Sequence, residues 1–189
     1  MNMKVARVNV GRIAERIVMN ELESRGYHII DLAYTSKTFA NVDFIASKAG
    51  QSFNVQVKGT SLKSGARRAV QYGYCTKEIV AGTVPMFNGK TEAALRADVI
   101  VLVGVYSPSK YHAVVLPVAT AEQAAQTNIG QYYRGTKRDG GVRKENKVYV
   151  ELEGSPKPRV PVHPEKIRER AILLAHLDAW DLAAPPQLR

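Results

Sequence analysis

The sequence has a single cysteine, Cys75, and only four histidines among its 189 residues. One thiol cannot form an internal disulfide, and no Cys/His cluster has the spacing of a zinc site. A glycine-rich phosphate loop, a Ser-His-Asp pattern and a cysteine nucleophile in a suitable context are also absent. This composition is typical of a protein of the reducing cytoplasm, which is the compartment we expect.

Long apolar runs are missing as well. The longest uncharged one extends from Val99 to Tyr106, far short of the roughly 18 residues that a membrane span needs. The N-terminal residues lack the apolar stretch of about 7 to 15 residues found in a signal peptide. We therefore expect a buried strand at Val99 to Tyr106 and no membrane partner.

The composition is that of a soluble globular protein, with 45% hydrophobic and 23% charged residues. The length suits one domain, with a core over about residues 9–127 and a basic loop and helical extension over about residues 128–189. The formal net charge is +10, from 27 Lys and Arg against 17 Asp and Glu. This excess favours a nucleic-acid partner, because cations that neutralise phosphates release condensed counterions. A basic surface that only maintains solubility is the alternative.

The hydrophobic pattern predicts an alternation of helices and strands. Apolar residues recur at helical spacing from Val10 to Arg25, and Gly26 supplies a C-cap. Strands are expected at Tyr27 to Tyr34, Asn41 to Ser47, Ser52 to Gly59, Asp98 to Tyr106 and His112 to Val118. Further helices are expected at Cys75 to Thr83, Thr91 to Arg96, Ala119 to Thr127 and Glu165 to Leu177. Outside the helices and strands, we expect a turn at Lys48 to Gln51, loop and irregular strand over residues 60–76, and a frayed tail at Ala183 to Arg189. The fold class is therefore α/β, with a mixed central sheet flanked by helices.

A compact polar cluster is predicted where two of these strands meet. Gln56 and Lys58 lie two residues apart on a strand, which puts their side chains on the same face. The turn between the second and third strands brings Asp43 alongside them. The same alternation of polar and apolar residues is also found in any half-exposed antiparallel strand. Glu15, at the rim of the apolar stripe of the first helix, can point towards this cluster.

These segments resemble the PD-(D/E)xK nuclease superfamily, in which an acid on one strand precedes an acid-x-Lys strand and a helical glutamate often joins them. The resemblance is carried by Gly11 to Arg16, Gly26-Tyr27, Asn41 to Asp43 and Val55 to Lys58. It is closest in pattern to the Holliday-junction-resolvase and intron-homing-endonuclease branches. Asn41-Val42 lacks the proline of the family name, and Gln56 stands where an acid is usual, which removes one negative charge. The resemblance implies a restriction-endonuclease-like core.

The implied chemistry is hydrolysis of a DNA phosphodiester bond with Mg²⁺, for which Mn²⁺ can substitute. A hard divalent cation polarises the phosphate and lowers the pKa of the attacking water, and it prefers oxygen ligands. Asp43 is the expected principal ligand, joined by the side-chain oxygen of Gln56, the backbone carbonyl of Val57 and, directly or through water, Glu15. Lys58 is expected to orient or deprotonate the water and to offset charge on the phosphorane.

Basic and aromatic residues outside this cluster are candidate DNA contacts. Arg134 to Lys147 contains six Lys or Arg against two acids, which is typical of a flexible cationic loop that binds the phosphate backbone. The candidates are Arg12, Lys63, Arg67, Arg68, Tyr72, Arg134, Lys137, Arg138, Arg143 and Lys144. A solvated loop with packed tyrosines is the alternative for Arg67, Arg68, Tyr72 and Tyr74.

The sequence thus predicts a Mg²⁺-dependent endonuclease that acts on DNA. The resemblance also implies a homodimer or homotetramer, which lets two active sites address two strands. It leaves restriction, homing, resolvase and repair roles open. Gln56 motivates an alternative, a nucleic-acid-binding module that keeps the fold without cleaving, and a basic RNA-associated protein is a third interpretation.

Overall fold

The computed structural model describes residues 9–32, 42–61, 69–73, 97–121, 123–124, 147–151 and 164–182. They form two helices, α1 (Asn9–Ser24) and α2 (Pro164–Ala175), and short helical stretches at 118–121 and 123–124. The strands are β1 (His28–Asp31), β2 (Phe44–Lys48), β3 (Gln51–Ser61), β4 (Ala69–Gly73), β5 (Val99–Ser107), β6 (Lys110–Pro117) and β7 (Lys147–Glu151). No helix in these ranges combines the length and apolarity needed to cross a membrane.

Five strands form a mixed sheet in the order β1-β2-β3-β5-β6. β3 and β5 run parallel, and the other neighbours are antiparallel. β4 and β7 pair separately as a two-stranded antiparallel sheet. The predicted α/β class with a mixed central sheet is confirmed.

Helix α1 ends where the sequence predicts. Gly26 adopts a φ of 83°, and the N–H groups of Gly26 and Tyr27 donate to the carbonyls of Glu23 and Leu22 at 2.9 and 3.0 Å. This is a Schellman C-cap, in which the left-handed residue is most often glycine because it has no Cβ. Leu22 and Tyr27 are both buried, and the cap turns the chain directly into β1.

The hairpin between β2 and β3 is equally local in origin. Lys48 pairs with Gln51, so the loop consists of Ala49 and Gly50, whose φ angles are 51° and 79°. Two positive φ angles match the right-handed twist of the flanking strands. The tight loop fixes the register that sets Phe44 opposite Val55.

The main core lies between α1 and one face of the large sheet. Ala14, Val18 and Leu22 of α1 are fully buried against apolar residues that alternate along β2, β3 and β5. The residues between them on β5, Ile100 and Leu102, are also buried, so this central strand is covered on both faces.

Residues after α2 cover the outer edge of β6. The Val115 N–H donates to the His176 carbonyl at 3.0 Å, and the Asp178 N–H donates to the Ala113 carbonyl at 2.9 Å. Trp180 follows and is buried in the main core. The segment thus pairs an edge that would otherwise present unpaired backbone groups.

Three sequence predictions need correction. β3 continues through Thr60 and Ser61, and residues 69–73 form a regular strand, so residues 60–76 are not simply loop and irregular strand. Lys147 begins β7 and does not end a loop. The last strand of the large sheet runs from Lys110 to Pro117, earlier than the expected His112 to Val118. The expected helices at 75–83 and 91–96 and the tail at 183–189 lie outside the described residues.

Candidate functional site

Asp43 stands directly before β2, where three strands meet. Its N–H donates to the Val55 carbonyl at 2.9 Å, and its own carbonyl accepts from the Leu32 N–H at 3.2 Å. Its side-chain Oδ2 accepts from the Val57 N–H at 2.6 Å. Backbone and carboxylate are therefore both fixed against β3, which holds the acid in one orientation.

Gln56 and Lys58 lie beside this carboxylate. The Val57 N–H that bonds to Asp43 lies between Gln56 and Lys58 on β3. Because Val55 and Val57 are buried in the main core, the alternation of a strand puts the Gln56 side chain on the other face of β3. Lys58 shares that face, and its ammonium lowers the pKa of Asp43. Gln56 is only 2% exposed, whereas Lys58 is half-buried. The amide and the ammonium thus lie on one face of β3, on either side of the residue whose N–H bonds to the Asp43 carboxylate.

Val57 contributes its backbone to the same place. In an extended strand the N–H and the carbonyl of one residue lie on the same edge. Because the Val57 N–H meets the Asp43 carboxylate, its carbonyl also faces the Asp43 side of β3. Its side chain points the other way and is buried in the main core.

Glu15 lies close enough to Asp43 to interact with it because α1 crosses β3 at close range. A Cβ on Gly59 would lie 2.5 Å from the Cβ of Ala14 and 3.1 Å from the Val10 carbonyl oxygen. Such distances are below ordinary van der Waals contact, so only glycine fits at this crossing. The neighbour of Ala14 on the helix is Glu15, and Asp43 raises its pKa. The two acids therefore interact electrostatically across the helix–sheet junction.

Burial and mutual repulsion oppose the charged forms of these acids. Burial raises the pKa of Asp43; the Val57 N–H, Lys58 and Arg12 lower it, and Asp31 raises it again. Burial also raises the pKa of Glu15, the Arg12 hydrogen bond lowers it, and Asp43 and Asp31 raise it further. The net effect on both is upward, because the nearby cations only partly compensate for desolvation.

Asp31 belongs to this group, although the sequence reasoning did not select it. It is the last residue of β1 and pairs with Phe44, the neighbour of Asp43. Its Oδ2 lies 3.8 Å from Nη2 of Arg16 on α1. The sequence places it within a predicted strand but at no spacing that links it to Asp43; only the β1–β2 register does so.

These donors suit a hard divalent cation. Two carboxylates, an amide oxygen and a backbone carbonyl are the oxygen ligands that Mg²⁺ prefers, with water filling the remaining positions. Burial raises the pKa of both Asp43 and Glu15, so a cation bound beside them would favour their charged forms. Within the described ranges, no group of three or more His, Cys, Asp or Glu side chains is arranged to hold a metal. A metal here would therefore depend on the neutral oxygens as well as on the acids.

Few of the candidate DNA contacts fall within the described residues. Arg12 does, on α1, with Nη1 at 2.9 Å from Glu15 Oε2. Tyr72 lies in β4, of which only the backbone is described. The others lie outside the described residues: Lys63, Arg67, Arg68, Arg134, Lys137, Arg138, Arg143 and Lys144.

Comparison with known proteins gives distant structural similarities. No family model matches the chain, and no curated protein matches it. Among solved structures, the bacterial homing endonuclease I-Ssp6803I aligns over 93% of this chain and 88% of its own, with 13% identity and a TM-score of 0.45. MepB aligns over 86% of this chain and 94% of its own, with 10% identity and a TM-score of 0.35. These scores are too low for either likeness to bear on function, which depends instead on the geometry of the site.

Proposed function

We propose that this protein is a divalent-metal-dependent endonuclease that hydrolyses phosphodiester bonds in DNA. One observation carries the proposal: the Asp43 carboxylate is fixed at 2.6 Å by the N–H of Val57, the residue between Gln56 and Lys58 on β3. A helix crossing at Gly59 brings Glu15 to the same junction. Oxygen donors beside an ammonium group are what metal-assisted phosphodiester hydrolysis requires.

Each residue has a distinct role in this proposal. Asp43, Gln56 through its amide oxygen, the Val57 carbonyl and Glu15, directly or through water, would hold Mg²⁺ or Mn²⁺. When bound, the cation polarises the phosphate and lowers the pKa of the attacking water. Lys58 would orient or deprotonate that water and offset charge on the phosphorane.

DNA is the proposed substrate because of charge. The net charge of +10 favours a polyanion, and Arg12 stands beside Glu15 at the junction. Two copies of the chain would supply two sites for the two strands, so we propose a homodimer or homotetramer. The target sequence or DNA structure is not specified by these residues.

The first prediction is that cleavage depends on Asp43 and Lys58. Plasmid and branched DNA are incubated with Mg²⁺ or Mn²⁺ and the native protein, Asp43→Ala or Lys58→Ala, and products are resolved on gels. Each substitution is expected to lower the cleavage rate by roughly 10²–10⁴-fold, because a metal ligand or the group acting on the water is lost. Glu23→Ala and Lys110→Ala are matched controls at exposed positions and should cut like the native chain. Undiminished cutting by Asp43→Ala would contradict the proposal.

A second candidate function is a non-cleaving nucleic-acid-binding module, and buried, neutral Gln56 favours it. Gln56→Glu restores the acid that is usual at this position. A native chain that binds DNA without cutting at any metal concentration, together with a cutting Gln56→Glu variant, would establish the module. Preference for RNA over DNA at matched salt would instead indicate an RNA-associated protein.

A further inference from the structure

Two arginines one turn apart on α1 pair with acids around the site. Arg12 Nη1 lies 2.9 Å from Glu15 Oε2, and Arg16 Nη2 lies 3.8 Å from Asp31 Oδ2. The arginine side chains are 43% and 60% exposed, whereas the acids are 19% and 20% exposed. The guanidinium groups thus reach solvent while the carboxylates face inward.

The charges at this junction form one balanced group. Among the residues that the structure describes, three acids, Glu15, Asp31 and Asp43, stand against three cations, Arg12, Arg16 and Lys58. Asp31 acts on both Glu15 and Asp43, and Arg12 acts on the same two acids with the opposite sign. A change at one member is therefore felt by the others.

A divalent cation held by Glu15 and Asp43 would upset this balance. It would provide the compensation that Arg12 gives to both acids, leaving the group with two surplus positive charges. Exposed ion pairs contribute little and are easily exchanged. The guanidinium fork also matches the oxygens of a phosphate.

We propose that Arg12 and Arg16 are exchangeable counter-ions, which neutralise Glu15 and Asp31 in the metal-free protein and turn to DNA phosphates when a divalent cation occupies the site. This inference rests on the proposed function and deepens it. It makes the two arginines positioning residues that couple metal binding to DNA binding. Coupling of this kind is reciprocal, so each ligand must strengthen the binding of the other.

If the exchange occurs, the loss of Arg12 must strengthen metal binding and weaken DNA binding, and the test measures both affinities. Mn²⁺ binding to the full chain without DNA is measured by calorimetry for the native protein and Arg12→Gln. Arg12→Gln should bind Mn²⁺ roughly two- to fivefold more tightly, because a competitor for Glu15 is gone.

Affinity for a labelled duplex is then measured in Ca²⁺ by fluorescence anisotropy, with intact DNA verified on a denaturing gel. Arg12→Gln should bind this duplex more weakly, and its salt slope should fall by about 1.

Arg25→Gln is the matched control. Arg25 lies on the turn after α1, and its Nη2 pairs with Glu21 Oε2 at 3.4 Å, so the same substitution removes an exposed ion pair of similar kind. It should leave Mn²⁺ and duplex affinities unchanged. Arg16→Gln should change both affinities in the same directions as Arg12→Gln but less, because its pair is longer.

The outcomes separate this inference from the function on which it rests. If Asp43→Asn binds Mn²⁺ as tightly as the native protein, the metal does not bind at Asp43, and both the exchange and the proposed function are overturned. Binding that depends on Asp43, combined with unchanged or weaker Mn²⁺ affinity in Arg12→Gln, would overturn only the exchange. Circular dichroism confirms that each variant is folded before affinities are compared.

Discussion

At the scale of single residues, the site is held in an electrostatically unfavourable state. The Asp43 carboxylate is withdrawn from water, and its pKa is raised by burial despite the Val57 N–H and Lys58. A group whose pKa is higher in the folded than in the unfolded chain binds protons more readily when folded. Stability therefore falls as pH rises through the interval between the two pKa values.

This direction of the pH dependence of stability leads to a prediction for the variant Asp43→Asn. In EDTA at neutral pH the variant should unfold at a higher temperature than the native protein, because the amide removes the buried charge and its oxygen can still accept the Val57 N–H. The difference should shrink as pH falls through the raised pKa of Asp43 towards about 4, near which the aspartate of the unfolded chain also takes up a proton. Added Mg²⁺ should stabilise the native protein but not the variant, because only a protein that binds the ion gains from it. Thermal unfolding followed by circular dichroism measures all three effects.

Asp98→Asn is the control for this experiment. Asp98 Oδ2 accepts from the Asn54 N–H at 2.8 Å on the same strand β3, but Asp98 is exposed. The same change there should not stabilise the protein. The opposite result, a lower stability of Asp43→Asn than of the native protein in EDTA at neutral pH, would contradict this prediction. It would show that the Asp43 carboxylate stabilises the fold and is not adapted to a cation.

At the scale of elements, the crossing of α1 over β3 joins packing to function. Ala14 and Gly59 are in contact, and the next helical residue is Glu15. The crossing distance therefore sets how far Glu15 stands from Asp43. A helix pushed outward here would lose core contacts and withdraw an acid from the site together.

Gly59→Ala tests this crossing. Its Cβ would lie 2.5 Å from Ala14 Cβ, so we expect a loss of about 1–3 kcal/mol in unfolding free energy from overpacking. Cleavage by the folded fraction should also fall, because Glu15 moves. Gly11→Ala is the control: its Cβ would meet nothing within 4 Å, and alanine should stabilise α1 by roughly 0.5–1 kcal/mol. Urea unfolding and cleavage of the same samples provide the readout.

The double variant Ala14→Gly/Gly59→Ala identifies the cause of any loss. It removes the closest contact, so part of the stability and cleavage should return, although the Val10 carbonyl remains 3.1 Å away. If Gly59→Ala destabilised the fold while the folded fraction cut normally, Glu15 would have no part in the chemistry.

The same elements show what the sequence could predict. α1 and the β2–β3 hairpin follow from local signals, namely helical periodicity closed by Gly26 and strict alternation around Ala49-Gly50. β4 and β7 were not predicted as a pair, because each strand has only five residues and the paired positions lie more than 70 residues apart in the sequence. Local propensity carries no information about such a pairing. Asp31 was missed for the same reason, since only the β1–β2 register brings it next to Asp43.

At the scale of the whole molecule, the proposed function requires a charge distribution that helps DNA reach the site. The described junction is electrically balanced, with three acids against three cations, so it contributes little of the net charge of +10. The basic segment from Arg134 to Lys147 is the main concentration of cations in the sequence. We therefore expect the salt dependence of DNA binding to arise mostly from that segment.

Removal of two of its charges tests this distribution. Each phosphate contact contributes about 0.9 to the slope of log K against log salt for duplex DNA, so Arg143→Gln/Lys144→Gln should lower the slope by about 1.8 if both residues bind phosphates. The control Lys110→Gln/Arg168→Gln removes the same charge from exposed positions on β6 and α2. It should leave the slope unchanged, because overall charge alone releases no specific counterions. Anisotropy titrations in Ca²⁺ at several salt concentrations measure the slope for each double variant. Equal slopes for both would mean that the basic segment makes no phosphate contacts. The net charge of +10 would then act on DNA only as a diffuse field.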